Sequence, residues 1–260
     1  MLRIRVGIQT ASLRLPFKQA LLTAAKLGAE AVEIDARTEL PPQEMTPTAV
    51  RHLRKVLDDL QLRVAAVAFR TRRGYDTPED LDRRVDATKK AMSLAWDLGA
   101  SAVVNHVGDI PEDPQEPAWD LLLQALADLG RHGQRVGARL TAETTGADPQ
   151  RLHSLIAALP AGSLGVDLNP GLLVAGGRSA TDAALLLGPH VLHVHATDGT
   201  RDVSQRRALE TALGRGSVDW PAVFGALEEH DYRGCFTIAR TEASDPAKEI
   251  AQAVQFLRSF

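Results

Sequence analysis

Three side chains in the C-terminal half have the types and spacing of a metal-assisted acid–base site. Glu143 closes the segment ARLTAE, Asp167 closes SLGVD and His195 closes HVLHVH, each at the end of a short apolar run. Two carboxylates and one imidazole supply the oxygen and nitrogen donors that suit Mn2+, Mg2+, Zn2+ or Fe2+, with positions left open for substrate oxygens. A carboxylate in such a place can also take a proton from a carbon beside a carbonyl. His106, just past the run SAVVN, is a candidate second proton donor. The plainer alternative is a set of inward-facing polar groups that only hydrogen-bond to one another.

Arginines gather at the same ends of the runs. Arg70, Arg72 and Arg73 follow the third run; Arg201, Arg206, Arg207 and Arg215 follow the seventh. Guanidinium matches the geometry of carboxylate and phosphate, so Arg70, Arg201 and Arg215 are candidates for holding an anionic group of a substrate, against the alternative of solvated loops. Arg83, Arg84, Lys89 and Lys90 fall inside a helical segment and read as its wet face. Trp96 and Trp119 lie in helical segments and Trp220 begins one, which predicts packing roles.

The elements that must position these residues alternate regularly. Strands are expected at about 3–9, 31–35, 62–68, 101–105, 138–143, 163–167, 190–195 and 234–239, with helical periodicity between them. Helices are expected over Pro16–Leu27, Pro47–Leu60, Pro78–Leu98, Pro117–Val136 and Asp245–Phe260, several with Pro in the first turn, and Gly28 and Gly99 stand where two of them stop. Eight strand–helix units in a chain of 260 residues predict an α/β fold, a single (β/α)8 TIM barrel over residues 1–260. An open doubly wound sheet is the alternative, but the turn after the first strand, GIQTASLRLP, lacks the glycine spacing of a dinucleotide site.

Strand parity supports the barrel. Val6 and Ile8 oppose Gly7 and Gln9; Val32 and Ile34 oppose Glu33 and Asp35; Leu140 and Ala142 oppose Thr141 and Glu143. Leu164 and Val166 oppose Gly165 and Asp167, Leu192 and Val194 oppose His193 and His195, and Phe236 and Ile238 oppose Thr237 and Ala239. The aliphatic phase is expected to face the helices and the polar phase the barrel axis. Its last members, Gln9, Asp35, Glu143, Asp167 and His195, then fall at the C-terminal strand ends, where barrel enzymes keep their chemistry.

Composition narrows the class. Hydrophobic residues make up 44% and charged residues 24%, as expected of a soluble globular chain with a full core. A net charge of −3 argues against nucleic acid as a partner. No apolar run reaches the ~20 residues of a membrane span, and the first residues do not read as a signal segment. The single cysteine, Cys235, excludes an internal disulfide and a cysteine-rich zinc site and is expected to be buried filler. A cytoplasmic protein is expected, and self-association is left open.

The motifs resemble those of the sugar phosphate isomerase/epimerase family, the xylose-isomerase-like barrels. GVDLNPG with Asp167 matches the end of the family's sixth strand, HVHATDG with His195 and Asp198 matches its seventh, and LGRGSVDW and the fifth-strand TAETTG follow the same pattern. TRRGYDTPEDLDRR in the first half is also similar. The resemblance implies a divalent metal held by Glu143, Asp167 and His195, with Glu143 also acting as base. It further implies a carbohydrate-like small-molecule substrate and an enediolate formed by proton removal; Asp198 joins Arg70, Arg201 and Arg215 as a candidate substrate contact. The chain departs from the family at the eighth strand, FTIART, where Ala239 stands in place of a Glu that is both ligand and acid/base. Leu172 also stands where close relatives have Asn, and Glu242 lies three residues past Ala239. These departures keep open a barrel that serves as a binding or accessory subunit; a dehydratase or lyase using the same enolate is a further alternative. The endonuclease branch of the superfamily fits poorly, since Pro170 occupies a position where it needs His.

Overall fold

The aliphatic phase of the strands builds the main core: Val6, Ile8, Val32, Ile34, Leu140, Val166, Val194, Phe236 and Ile238 are all buried in one cluster with the helices. The computed structural model describes residues 2–202 and 207–260. Its strands are β1 (Arg5–Gln9), β2 (Ala31–Asp35), β3 (Arg63–Ala68), β4 (Ala102–Asn105), β5 (Arg139–Glu143), β6 (Gly165–Leu168), β7 (Val191–Ala196), β8 (Asp198–Asp202), β9 (Arg207–Thr211) and β10 (Cys235–Ile238). The first seven and β10 close into a parallel barrel in the order β1-β10-β7-β6-β5-β4-β3-β2. The fold is a single (β/α)8 barrel. The antiparallel hairpin β8–β9, in which Asp198 pairs with Thr211 and Thr200 with Leu209, is an addition that the sequence pattern does not announce.

The helices are α1 (Phe17–Lys26), α2 (Pro47–Asp59), α3 (Leu81–Asp97), α4 (Pro117–Val136), α5 (Pro149–Ala158), α6 (Pro170–Ala175), α7 (Ala180–Leu187), α8 (Trp220–Glu229) and α9 (Pro246–Leu257). Proline opens α2, α4, α5, α6 and α9, where its missing N–H costs no helical hydrogen bond. Gly28 at φ 87° and Gly99 at φ 83° end α1 and α3 in the left-handed region, which a side chain would resist. α3 begins later than its proline predicts, at Leu81 after Asp80. Asp80, in the left-handed region at φ 53°, interrupts the helical run. The Arg84 guanidinium donates to the carbonyls of Thr77 and Glu79 in the segment before the helix, so it is an anchor rather than part of a wet face. Lys89 likewise pairs with Asp128 at 2.6 Å, joining α3 to α4.

Two register irregularities sit beside the polar interior. Glu33 pairs with Ala66 after Val32 pairs with Val64, so Ala65 is extra in β3. Asp167 pairs with His193 after Val166 pairs with Val191, so Leu192 is extra in β7. Bulges of this kind re-aim side chains. The second one overturns the parity reading for Leu192, which packs inside the barrel on Ala66, Ala102 and Val104 rather than against the helices.

Two other expectations also need correction. Trp119 and Trp220 are buried, but Trp96 is 57% exposed, its ring lying across Gly137. Cys235 is half-buried rather than enclosed. Among the described residues no helix is long and apolar enough to cross a membrane.

Candidate active site

The inward phase converges as parallel pairing requires. Glu143 pairs in register with Asp167, Asp167 with His193, His195 with Thr237, and Gln9 with Glu33. One band of polar side chains therefore encircles the barrel axis near the C-terminal strand ends. Glu33, Asp167, His193 and His195 are almost completely buried, a costly arrangement unless every charge is answered.

His195 is the centre of the band. Its Nδ1 lies 2.6 Å from Asp167 Oδ2 and 3.6 Å from Glu143 Oε1; its Nε2 lies 2.9 Å from Glu33 Oε2. The Nε2 contact with Glu33 is an ion contact without the alignment of a hydrogen bond. Burial alone would lower the imidazole pKa, but Asp167 and Glu33 outweigh it and hold His195 well above the ordinary histidine range. Both ring nitrogens face carboxylate oxygens, the pattern of an imidazolium.

The carboxylates respond in the opposite direction. Burial opposes ionisation of Glu33, yet His195, His193 and Arg70 bring its pKa down to about 2. Asp167 is held below the ordinary carboxylate range by the same two imidazoles, against its burial. His193 secures Asp167 from behind. Its Nδ1 is 2.9 Å from Asp167 Oδ1 and its Nε2 is 2.8 Å from Thr237 Oγ1.

Glu143 is reached from two sides. Arg70 forks onto it, with Nε 3.2 Å from Oε2 and one terminal nitrogen 2.9 Å from Oε1 and 3.0 Å from Oε2. Asn169 donates to Oε1 at 3.0 Å while its own Oδ1 caps α6 through Leu172 N–H. The other Arg70 nitrogen lies 3.9 Å from Glu33 Oε1. Burial would lower the Arg70 pKa, but Glu143 and Glu33 keep the guanidinium firmly protonated.

Glu143, Asp167 and His195 offer donor atoms that all lie within 4.8 Å of one another. Ligands held at about 2.0–2.2 Å from one ion stand about 3 Å apart, so this donor set fits a divalent cation once His195 Nδ1 gives up its proton. Glu33, His193 and His195 form a second such group, but Thr237 already occupies the His193 Nε2 position.

A pocket of about 420 Å³ is lined by the polar residues Gln9, Arg70, Glu143, Asn169 and His195 and by the apolar residues Leu172, Ala175, Leu209 and Ala239. Thr241 and Glu242 complete its rim. A wider cleft of about 860 Å³ adjoins it at Glu143 and is lined by His106, Asp76, Asp148 and Arg151. His106 Nε2 is 2.7 Å from the carbonyl of Thr71.

Residues 21–260 match the family model of the xylose isomerase-like TIM barrel. The chain belongs to that family. No curated protein sequence matches it. Among solved structures, a xylose isomerase domain protein from Planctomyces limnophilus superposes with a TM-score of 0.86 at 23% identity, over 98% of this chain and 96% of that one. A D-tagatose 3-epimerase-like protein gives 0.77 at 18% identity over 98% and 99%. A xylose isomerase-like barrel protein from Mycobacterium smegmatis, in complex with magnesium, gives 0.75 at 16% identity over 100% and 97%. Likeness at these identities shows the shared fold.

Within this xylose isomerase-like barrel, Glu143, Asp167, His195 and Arg70 are brought together. Asp198 lines the same pocket, with its carboxylate already engaged by backbone donors. Its Oδ1 accepts from Gly199 and Val218 N–H and its Oδ2 from Gly214 N–H, so it fastens the hairpin to the loop that follows. Arg201 is exposed, with its guanidinium packed over Gly177 outside the pocket. Arg215 is exposed on the loop after the hairpin. Arg206 and the side chain of Arg207 lie outside the described residues. Arg73 pairs with Glu79 at 3.2 Å, well exposed. Asp35, the last polar residue of β2, accepts from Arg37 and Thr38 N–H in a turn; Glu33, two residues deeper, is the member of that strand in the cluster. The roles of Glu33, His193, Thr237 and Asn169 escape sequence reasoning, although the first three stand in the inward phase.

Proposed function

We propose that this chain is an isomerase or epimerase of a small sugar, sugar phosphate or related keto-polyol. In this reading Glu143, Asp167 and His195 hold a divalent cation. The observation that carries it is the convergence of those three donors. Two of them, Glu143 and His195, line a pocket of about 420 Å³ while Asp167 lies buried behind them, and that size suits one small polar molecule. A bound cation would supply Lewis-acid polarisation of a substrate carbonyl and a template for the adjacent hydroxyl.

The chain's own residues do the rest. Glu143 borders both the pocket and the adjoining cleft and takes the proton from the carbon beside the carbonyl. Gln9, Asn169 and Arg70 orient substrate oxygens, while Leu172, Ala175, Leu209 and Ala239 form an apolar wall. Glu242 on the rim and His106 across Glu143 are the two groups available for proton return where Ala239 supplies none. Ala239 also favours a second reading, a barrel that binds its ligand without turning it over.

Proton transfer at carbon leaves a record in the solvent. Incubating the protein with Mn2+ and a panel of aldoses, ketoses and their phosphates in D2O, followed by NMR, should reveal deuterium beside the carbonyl of at least one member. Loss of a general base costs about 10²–10⁴ in rate, so Glu143→Gln should reduce exchange by at least about 10². Binding without exchange on every member of the panel would support the second reading instead.

A further inference from the structure

A guanidinium already occupies the carboxylate that an incoming cation would need. Arg70 donates to Glu143 through Nε and one terminal nitrogen, with contacts of 2.9 to 3.2 Å. Its remaining terminal nitrogen reaches within 3.9 Å of Glu33. The backbone around it is fixed: Arg37 donates to the Arg70 carbonyl at 2.6 Å, and Thr71 N–H donates to Asn105 Oδ1 at 3.1 Å. The side chain is 39% exposed and borders the pocket, so it can leave Glu143 without disturbing the strand. Asp167 and His195 are enclosed and secured from several sides, which leaves Glu143 as the donor whose partner can change.

We propose that Arg70 is the resident counter-ion of Glu143 and competes with a divalent cation for that carboxylate. Arg70 engages both oxygens of Glu143, and two positive groups on one carboxylate repel at this range, so the Arg70–Glu143 pair in this arrangement and a bound cation each weaken the other. With Ala239 at the end of β10 no carboxylate stands at that position to compensate. The inference rests on the proposed cation site, but not on turnover.

The test is the affinity for Mn2+ alone, measured by titration calorimetry or by the EPR signal of free ion on the intact protein. Arg70→Gln should bind Mn2+ at least about tenfold more tightly than the wild type, a difference of about 1.4 kcal/mol. Arg70→Lys, which keeps the charge but loses the fork, should fall between the two. Glu143→Gln should remove the gain when added to Arg70→Gln. A residue that merely supported the fold would lower affinity on substitution or leave it unchanged, and either result overturns the proposal. So does failure of both wild type and Arg70→Gln to bind Mn2+. Tight Mn2+ binding by Arg70→Gln without any sugar turnover would keep the counter-ion role and remove the isomerase reading, so the two fail separately.

Discussion

At the scale of single residues, the interior works as a charge ledger of three carboxylates, Glu33, Asp167 and Glu143, answered by His195 and Arg70. Glu33 is the member with the clearest solution signature. Its pKa falls from an ordinary 4.5 to about 2 in the folded protein, so its contribution is complete above about pH 4.5 and is lost as pH falls toward 2. The shift corresponds to on the order of 3 kcal/mol. Stability measured by denaturant titration across this range should therefore decline more steeply in the wild type than in Glu33→Gln; parallel curves would contradict the assignment. Residue types alone could not single out Glu33. Parity put it on the correct face with Asp35, but depth along the barrel axis depends on strand stagger and on the extra residue Ala65 in the neighbouring strand. The arginines were less legible still, because position in a loop says nothing about direction. Arg70 turns inward onto Glu143, whereas Arg201 lies over Gly177 and Arg215 faces solvent.

At the scale of elements, the hairpin β8–β9 shapes one side of the pocket through Leu209 and Glu210. Its sequences, DGTRD and RALET, carry no alternating apolar pattern, so periodicity could not reveal it. Tertiary contacts hold it in place. Arg240, directly after Ala239 and buried, contacts Glu210 and Glu249 at 2.5 Å each, joining the hairpin and α9 to the end of β10. Arg240→Met would leave Glu210 with only its Thr241 donors and Glu249 with only its Ser244 donors, a loss of about 1–3 kcal/mol. Hydrogen exchange should then speed up in residues 207–211 more than in β5 or β6. Uniform acceleration through the barrel would show that Arg240 supports the whole fold rather than the hairpin. The barrel strands themselves were legible because each carries its aliphatic phase in a short, well-bounded run. Only Leu192, displaced by the bulge in β7, broke the pattern.

At the scale of the molecule, the fold brings segments far apart in sequence to one mouth. β2, β5, β6 and β7 supply Glu33, Glu143, Asp167 and His195, and the segment after β3 supplies Arg70. Membership of the xylose isomerase-like family was legible from the ordered strand-end motifs. What the chain does with the grouped Glu143, Asp167 and His195 depends on the assembled charges rather than on any motif. The most direct test of the central claim is Mn2+ stoichiometry at saturating ion in the intact wild type and in the Glu143→Ala, Asp167→Ala, His195→Ala triple variant. The account predicts one ion per chain in the wild type and none in the triple variant. Equal binding by the two proteins, or none by the wild type at saturation, would contradict it.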